Sequence, residues 1–466
     1  MTYITIELPL VGPTSQNRAK QFSSALTKNF YIEVTEAGDS ILHPFPGSKV
    51  FSAAAIAGTN RGSHVFMGQL YVVTGARLEL IKSDASRQDL GVITGNQYCF
   101  FADDGQDMFI VTGGNIYKFD TSLAIQNDQD FESPNTVTYL NSRFIYDGGS
   151  NRFGVSEVLD GGNISALNYG TAESSPDNLL RVYAFDQKLY LFGEKTVEPH
   201  YNTDTGNPPY QRIDTGIMQK GLGAIASVSN TDLFIYFLGD DRQVYKLKGS
   251  SIQHISTPAI DNEIQNFTVT SDAVGFSFTM QGQDWYLVTF PDADRTFLYS
   301  ENTNTWVKLS FGVNNARHLA GSYEFVYEKH LIADHTNGNI YEWDFDTYTD
   351  NGLVVQRQRI LPIFSGERIK APGKRLQMSR FELIMERGVG NTDKPNPEVM
   401  IEISIDGGDS WKNMGYIKAG RAGQSMQKIE CYHLASFYEA TFRVTTSDPN
   451  FISIRAAAVD IMLAGY

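Results

Sequence analysis

DMFIVTGGNIYKFD (107–120) holds an apolar run, a Gly-Gly turn and a second run that alternates apolar and polar residues. Alternation lines one face of a strand, and paired glycines admit the positive φ of a tight turn, so the stretch reads as a β-hairpin. The same order returns in GQLYVVTG (68–75), SRFIYDGG (142–149), QKLYLFGEKTVE (187–198), DLFIYFLGDDRQVYKLKG (232–249), DWYLVTF (284–290) and KHLIADHTNGNIYEWDFD (329–346). With Tyr71, Phe109, Phe144, Tyr190, Ile235, Tyr286 and Ile332 as markers, the steps run from 35 to 51 residues and average about 43.5, the length of a four-stranded propeller blade. Residues 61–352 are therefore expected to form a β-propeller of about seven blades, with six possible. The scatter in step length leaves an irregular array of β-sandwiches as the alternative. GGNIYKFD, DRQVYKLKG and NGNIYEWDFD, each entered through a turn, are expected as third or fourth strands of blades.

Residues 353–466 lose the step. The charged run QRQRILPIFSGERIKAPGKR (356–375) leads into RFELIME (380–386), EVMIEISID (398–406), YEATFRVTT (438–446) and ISIRAAAVDIML (452–463). These predict a separate, antiparallel β-sandwich-like domain. Residues 1–60, punctuated by Pro9, Gly12, Pro13, Pro44, Pro46 and Gly47, predict an N-terminal arm that docks on the body or on a neighbour. An all-β class suits the composition: 41 Gly and 16 Pro stand beside 24 Tyr and 29 Phe, and 41% hydrophobic residues suffice for a large core.

A formal charge of −15 argues against a general electrostatic grip on phosphates. Cys99 and Cys431 lie far apart in strand-like contexts, which predicts two buried reduced thiols rather than a disulfide framework or a zinc site. The start, MTYITIELPLVGP, has no basic n-region followed by an apolar run, and no stretch reaches the ~18–20 apolar residues of a membrane span. The expectation is a soluble chain without an export signal.

Chemistry-bearing motifs are few. GLGAIA (221–226) has the spacing of a dinucleotide fingerprint, but a strand-like stretch follows where a helix is needed. DFDTYTDNG (344–352) places Asp344, Asp346 and Asp350 like a calcium loop, yet Tyr348 occupies a ligand position and no Glu closes the loop. SIDGGDSW (404–411) is more specific: Ser404, Asp406, Gly408 and Trp411 fit the S-x-D-x-G-x-x-W Asp box, a turn whose carboxylate caps backbone amides above a packed Trp. The box recurs in sialidases, so a glycan-binding or glycan-cleaving propeller is the competing function. Such an enzyme needs paired catalytic groups and an Arg cluster, and no local grouping of that kind occurs. No catalytic, cofactor-binding or metal residue is assigned.

Three segments together resemble the family of tail hub, or nozzle, proteins of short-tailed bacteriophages, also called packaged-DNA stabilisation proteins or tail accessory factors. The first is KNFYIEV (28–34) with HPFPGSKVF (43–51). The second runs from 153 to 221 and contains AESSPD, LFGEKTVE, NTDTGNPPYQR and QKG, with Ala172, Glu173, Ser174, Pro176, Asp177, Gly193, Thr196, Glu198 and Tyr210 matching. The third spans 380–424 with TFRVTTSDP (441–449), and Gly388, Gly390, Pro397, Asp406, Gly407, Gly408 and Trp411 match. MQKIECYHLASFYEA (426–440) departs from the basic, Trp-bearing strand that the resemblance implies there, a difference that bears on the details of the lateral contact. The resemblance implies a structural virion protein, assembled in the host cytoplasm as a homohexameric ring beneath the tail adaptor ring. Genomic double-stranded DNA would pass its lumen without specific binding. A tail needle or plug would close the far end and tailspikes or fibres would attach around it, with no cofactor, catalysis or membrane insertion. With −15 per chain, the lumen is expected to be acidic or neutral. The basic run Arg357, Arg359, Arg368, Lys370, Lys374 and Arg375 is then expected on a partner-facing or outer surface.

Overall fold

The structure, a computed structural model, describes residues 3–16, 23–127, 133–165, 167–172, 177–424 and 426–463. Five four-stranded antiparallel sheets follow one another, opening with Asn60–Phe66, Phe100–Asp103, Val137–Leu140, Leu179–Phe185 and Ser229–Asn230. A sixth blade runs from Val274–Met280 to Thr305–Leu309, and a seventh opens with Ala320–Val326. First strands of neighbouring blades adjoin around an axis, and Ala320–Val326 returns to lie against Asn60–Phe66. The fold is thus a seven-bladed β-propeller.

All seven sequence markers fall in the second strand of a blade, such as Met108–Thr112, Lys188–Gly193 and Ile235–Leu238. That strand is covered by the adjoining blade on each face, so MFIVT and IYFL are buried at every position. Two-sided burial favours an unbroken apolar run over alternation. NIYKF (Asn115–Phe119), VYKLK (Val244–Lys248) and IYEWD (Ile340–Asp344) are third strands. The described helical structure is slight: Pro258–Gln265, capped by Thr257, is the one α-helix among the described residues, and none there is long and apolar enough to cross a membrane.

Blade seven takes its fourth strand from far upstream. Gly47–Ser52 pairs antiparallel with Ile340–Asp344, with Gly47 opposite Asp344 and Ser48 opposite Trp343. Gly47 is demanded by proximity, because a Cβ there would lie 2.4 Å from Thr349 O and 2.6 Å from Thr347 O.

The C-terminal residues form two facing sheets. One has the order Phe30–Val34, Ser40–Pro44, Ile454–Leu463, Leu376–Met385, Glu430–Phe437, with Ile4–Leu8 added along Ile454–Leu463. The other continues from the last strand of blade six through Ser24–Lys28, Arg357–Ile360, Glu439–Thr446, Glu398–Ser404 and Lys412–Lys418. Between them lies one core, in which Leu8, Phe30 and Leu42 pack with Phe381, Phe442 and Ile461. The stretch expected as an arm is therefore divided among three sheets: it supplies strands to both layers of the sandwich and the closing strand of the propeller. Burial on this scale, with Phe30 and Leu42 fully covered, makes the stretch part of the core it was expected to dock on.

Candidate functional site

The Asp-box residues come together at the hairpin between Glu398–Ser404 and Lys412–Lys418. Ser404 Oγ donates to Asp406 Oδ1 at 2.6 Å and accepts from Gly408 N at 2.8 Å. The Asp406 carboxylate further accepts from Asp409 N at 3.1 Å, from Ser410 N at 3.0 Å and from the Ser410 hydroxyl. The Ser404 and Ser410 hydroxyls, followed by these amides, hold its pKa well below the usual carboxylate range. Gly408, at φ 101°, brings its carbonyl within 3.0 Å of Trp411 Nε1. Beneath the indole, the Arg443 guanidinium sits 4.2 Å from the ring centroid and grips Glu402 through Nε and through Nη2 at 2.7 Å. The hydrogen bonds that Asp406 accepts come from Ser404, Asp409 and Ser410 of its own turn, which is the work of a structural cap.

The charged run after the propeller is divided. Arg368, Lys370, Lys374 and Arg375 are exposed. Arg357 and Arg359 are 0% and 1% exposed, which corrects the expectation that the whole run lies on a surface. Both sit on Arg357–Ile360, paired on one side with Ser24–Lys28 and on the other with Glu439–Thr446. Arg359 Nε donates to Leu10 O, while Nη1 reaches Pro13 O at 3.1 Å and Thr27 Oγ1 at 2.8 Å. Arg357 Nη2 donates to Tyr348 O at 3.1 Å. Burial lowers the Arg359 pKa to about 9 and that of Arg357 to about 10, with Asp350 and Tyr348 opposing the shift at Arg357. Lys28 joins them: its Nζ donates to Gln356 Oε1 at 2.8 Å and to Asn315 Oδ1. Burial, then the charges of Arg443 and Lys308, bring its pKa to about 8. The seam between propeller and sandwich is thus a cationic joint held largely by neutral oxygens.

The central motif also proves to be scaffold. Asp177 Oδ2 accepts from Lys195 N at 2.6 Å and Thr196 N at 3.0 Å, and a Cβ on Gly193 would lie 2.7 Å from the same carboxylate. Tyr210 donates its hydroxyl to Leu140 O at 2.8 Å, tying blade four to blade three. Glu173, Ser174 and Pro176 lie outside the described residues. In GLGAIA, a Cβ on Gly221 would fall 1.8 Å from Glu194 O and one on Gly223 2.4 Å from Gly239 O, so these glycines serve close backbone packing. Asp344 takes Lys49 Nζ at 2.7 Å and Asp350 takes the Ser48 hydroxyl at 3.1 Å, both from the closing strand. Cys99 and Cys431 are free and buried, and burial pushes each thiol up to about 11. Lys28 and Arg443 were not singled out in the sequence, because their partners lie hundreds of residues away or on another strand.

The family model described as bacteriophage P22 Gp10, β-propeller, matches residues 6–348. No curated protein matches the sequence. Among solved structures, the WD40 β-propeller domain of Doa1 is 10% identical with a TM-score of 0.43, over 64% of this chain and 98% of that one. The Pan2 WD40 domain of Neurospora crassa is 9% identical with a TM-score of 0.43, over 65% and 95%. BamB from Moraxella catarrhalis is 9% identical with a TM-score of 0.39, over 73% and 98%. Likeness at these scores carries nothing about function.

Proposed function

The chain belongs to the phage-stabilisation family typified by bacteriophage P22 Gp10, a family of phage structural proteins that stabilise packaged DNA, and from that premise we propose that it is a hub of the virion's tail. The family match over residues 6–348 is the observation that carries this reading. Six copies form a ring beneath the adaptor, extend the DNA channel, receive a needle or plug at the far end and carry tailspikes or fibres on the wall.

The sandwich offers the means of ring closure. Lys412–Lys418 and Glu430–Phe437 end their respective sheets, and a strand at a sheet edge presents unpaired backbone groups. Tyr416, Met426, Tyr432 and Tyr438 are 64%, 90%, 73% and 60% exposed on and beside these edges. Aromatic side chains of this kind anchor protein interfaces. The propeller, by contrast, is closed on itself and presents only its outer strands.

Retention of DNA in this reading is mechanical. A charge of −15 becomes about −90 over six copies, which disfavours a lumen that grips phosphate. Electron microscopy of the purified chain mixed with its adaptor tests the assembly: six-fold rings seated on the adaptor are expected, and a chain that stays monomeric in its presence removes the proposal. Fluorescence anisotropy tests the lumen. Duplex DNA at physiological salt is expected to bind more weakly than micromolar, and submicromolar binding that falls steeply with salt overturns mechanical retention.

A further inference from the structure

The geometry points to a binding site for a small organic anion on the propeller axis, built around the guanidinium of Arg181. This inference is independent of the tail-hub reading. Arg181 lies on Leu179–Phe185, the innermost strand of blade four, and lines a cavity of ≈270 Å³ together with Tyr98, Phe100, Thr138, Ser277 and Glu324. A wider pocket of ≈540 Å³ shares Tyr98 and Phe100 with it.

The guanidinium is oriented but not satisfied. Its Nη1 donates to Ile225 O at 2.6 Å, and the rings of Phe100 and Tyr183 lie 4.9 and 5.0 Å from its carbon. Nε and Nη2 have no hydrogen-bond partner, and no carboxylate pairs with Arg181 among the described residues. Arg61, on the wall of that wider pocket, shows what a structural arginine does: it donates to the carbonyls of Gln97, Gly75, Ile93 and Thr94 and to Thr112 Oγ1. The planar fork of Arg matches a carboxylate or phosphate with two donors. The two rings hold the plane of the fork, so little ordering cost remains for an incoming oxyanion.

Two more groups define the chemistry. Ser277 Oγ is a buried hydroxyl without a partner on the same cavity wall, a second donor for the ligand. Glu324 is hydrogen-bonded by Ser63 Oγ at 3.2 Å, and burial raises its pKa. When ionised it repels the ligand, so it restrains affinity rather than creating it. A cavity of this size lies just below the ~300–1,000 Å³ of common small-molecule sites and admits one compact molecule, with an apolar face against Tyr98 and Phe100.

Isothermal titration calorimetry of the full chain with benzoate and with inorganic phosphate, at low ionic strength, tests this. One site per chain is expected for benzoate, and phosphate, which lacks the apolar face, is expected to bind more weakly at the same site. Arg181→Gln should weaken benzoate at least tenfold, Ser277→Leu should abolish binding by filling the cavity, and Glu324→Gln should tighten it about threefold or more. Thermal melts establish that each variant is folded, and if Arg181→Gln is not, Ser277→Leu carries the test. A wild-type chain that binds neither probe overturns the site, as does binding that the folded variants leave unchanged.

Discussion

At Asp406 five hydrogen bonds converge on one exposed carboxylate, and all of them belong to a single turn. Asp406→Ala should therefore cost about 1–2 kcal/mol of stability, the worth of a capping carboxylate in water-exposed surroundings. Calorimetry is expected to show a lowered Tm with the oligomeric state of the wild type retained. An unchanged Tm shows that the turn does not depend on this cap. The box was legible in sequence because its donors lie within four positions of the acceptor. Arg357 and Arg359 were not. They open a run rich in Lys and Arg, with Gln356 and Gln358 on either side of Arg357, as on a solvated face, while the oxygens that satisfy Arg359 are supplied by Leu10, Pro13 and Thr27. No local pattern records a partner more than 300 residues away, and a buried arginine is tolerable only where such oxygens have been arranged.

Among the elements, second strands announced the propeller because two-sided burial demands continuous apolar runs, as in MFIVT and IYFL. Gly47–Ser52 was read as part of an arm for the opposite reason. Its burial alternates irregularly, and its partners at Ile340–Asp344 are known only from the fold. Deleting residues 1–52 should leave blade seven with three strands and expose the sandwich core that Leu8, Phe30 and Leu42 cover. Loss of cooperative melting and rapid proteolysis are expected, whereas a truncated chain that melts like the wild type shows that the strand is dispensable. Acid should act on the same region. His318 is 3% exposed, packed edge-on to Phe45 and near Trp343, and burial lowers its pKa to about 3. The unfolded chain takes up a proton near pH 6.5 and the folded one does not, so this stability is intact above 6.5 and drains away toward pH 3, by up to ~1.4 kcal/mol per pH unit. Asp350, raised to about 6 by burial, works in the opposite direction as pH falls below that value. The difference between wild type and His318→Gln in Tm measured from pH 7.5 to 4.5 isolates the histidine. A wild-type Tm that falls no faster than the variant's refutes its role.

For the whole molecule, the two sheet edges of the sandwich carry the prediction of assembly. Tyr416→Glu with Tyr432→Glu places charge on exposed edge positions, where it should break ring contacts without disturbing a core that neither residue enters. Native mass spectrometry should then show monomers with wild-type circular dichroism, and intact rings would move the contact elsewhere. The pairing of Gly47–Ser52 with Ile340–Asp344, and of Ile4–Leu8 with Ile454–Leu463, sets a schedule for synthesis. Chain emerges from the ribosome at ~5–20 residues per second, so the earliest strands wait on the order of tens of seconds for partners made last. Until residue 344 is free the circle stays open, and until residue 463 is free the sandwich lacks a central strand. Fragments from interrupted translation thus never acquire the finished surface of both units.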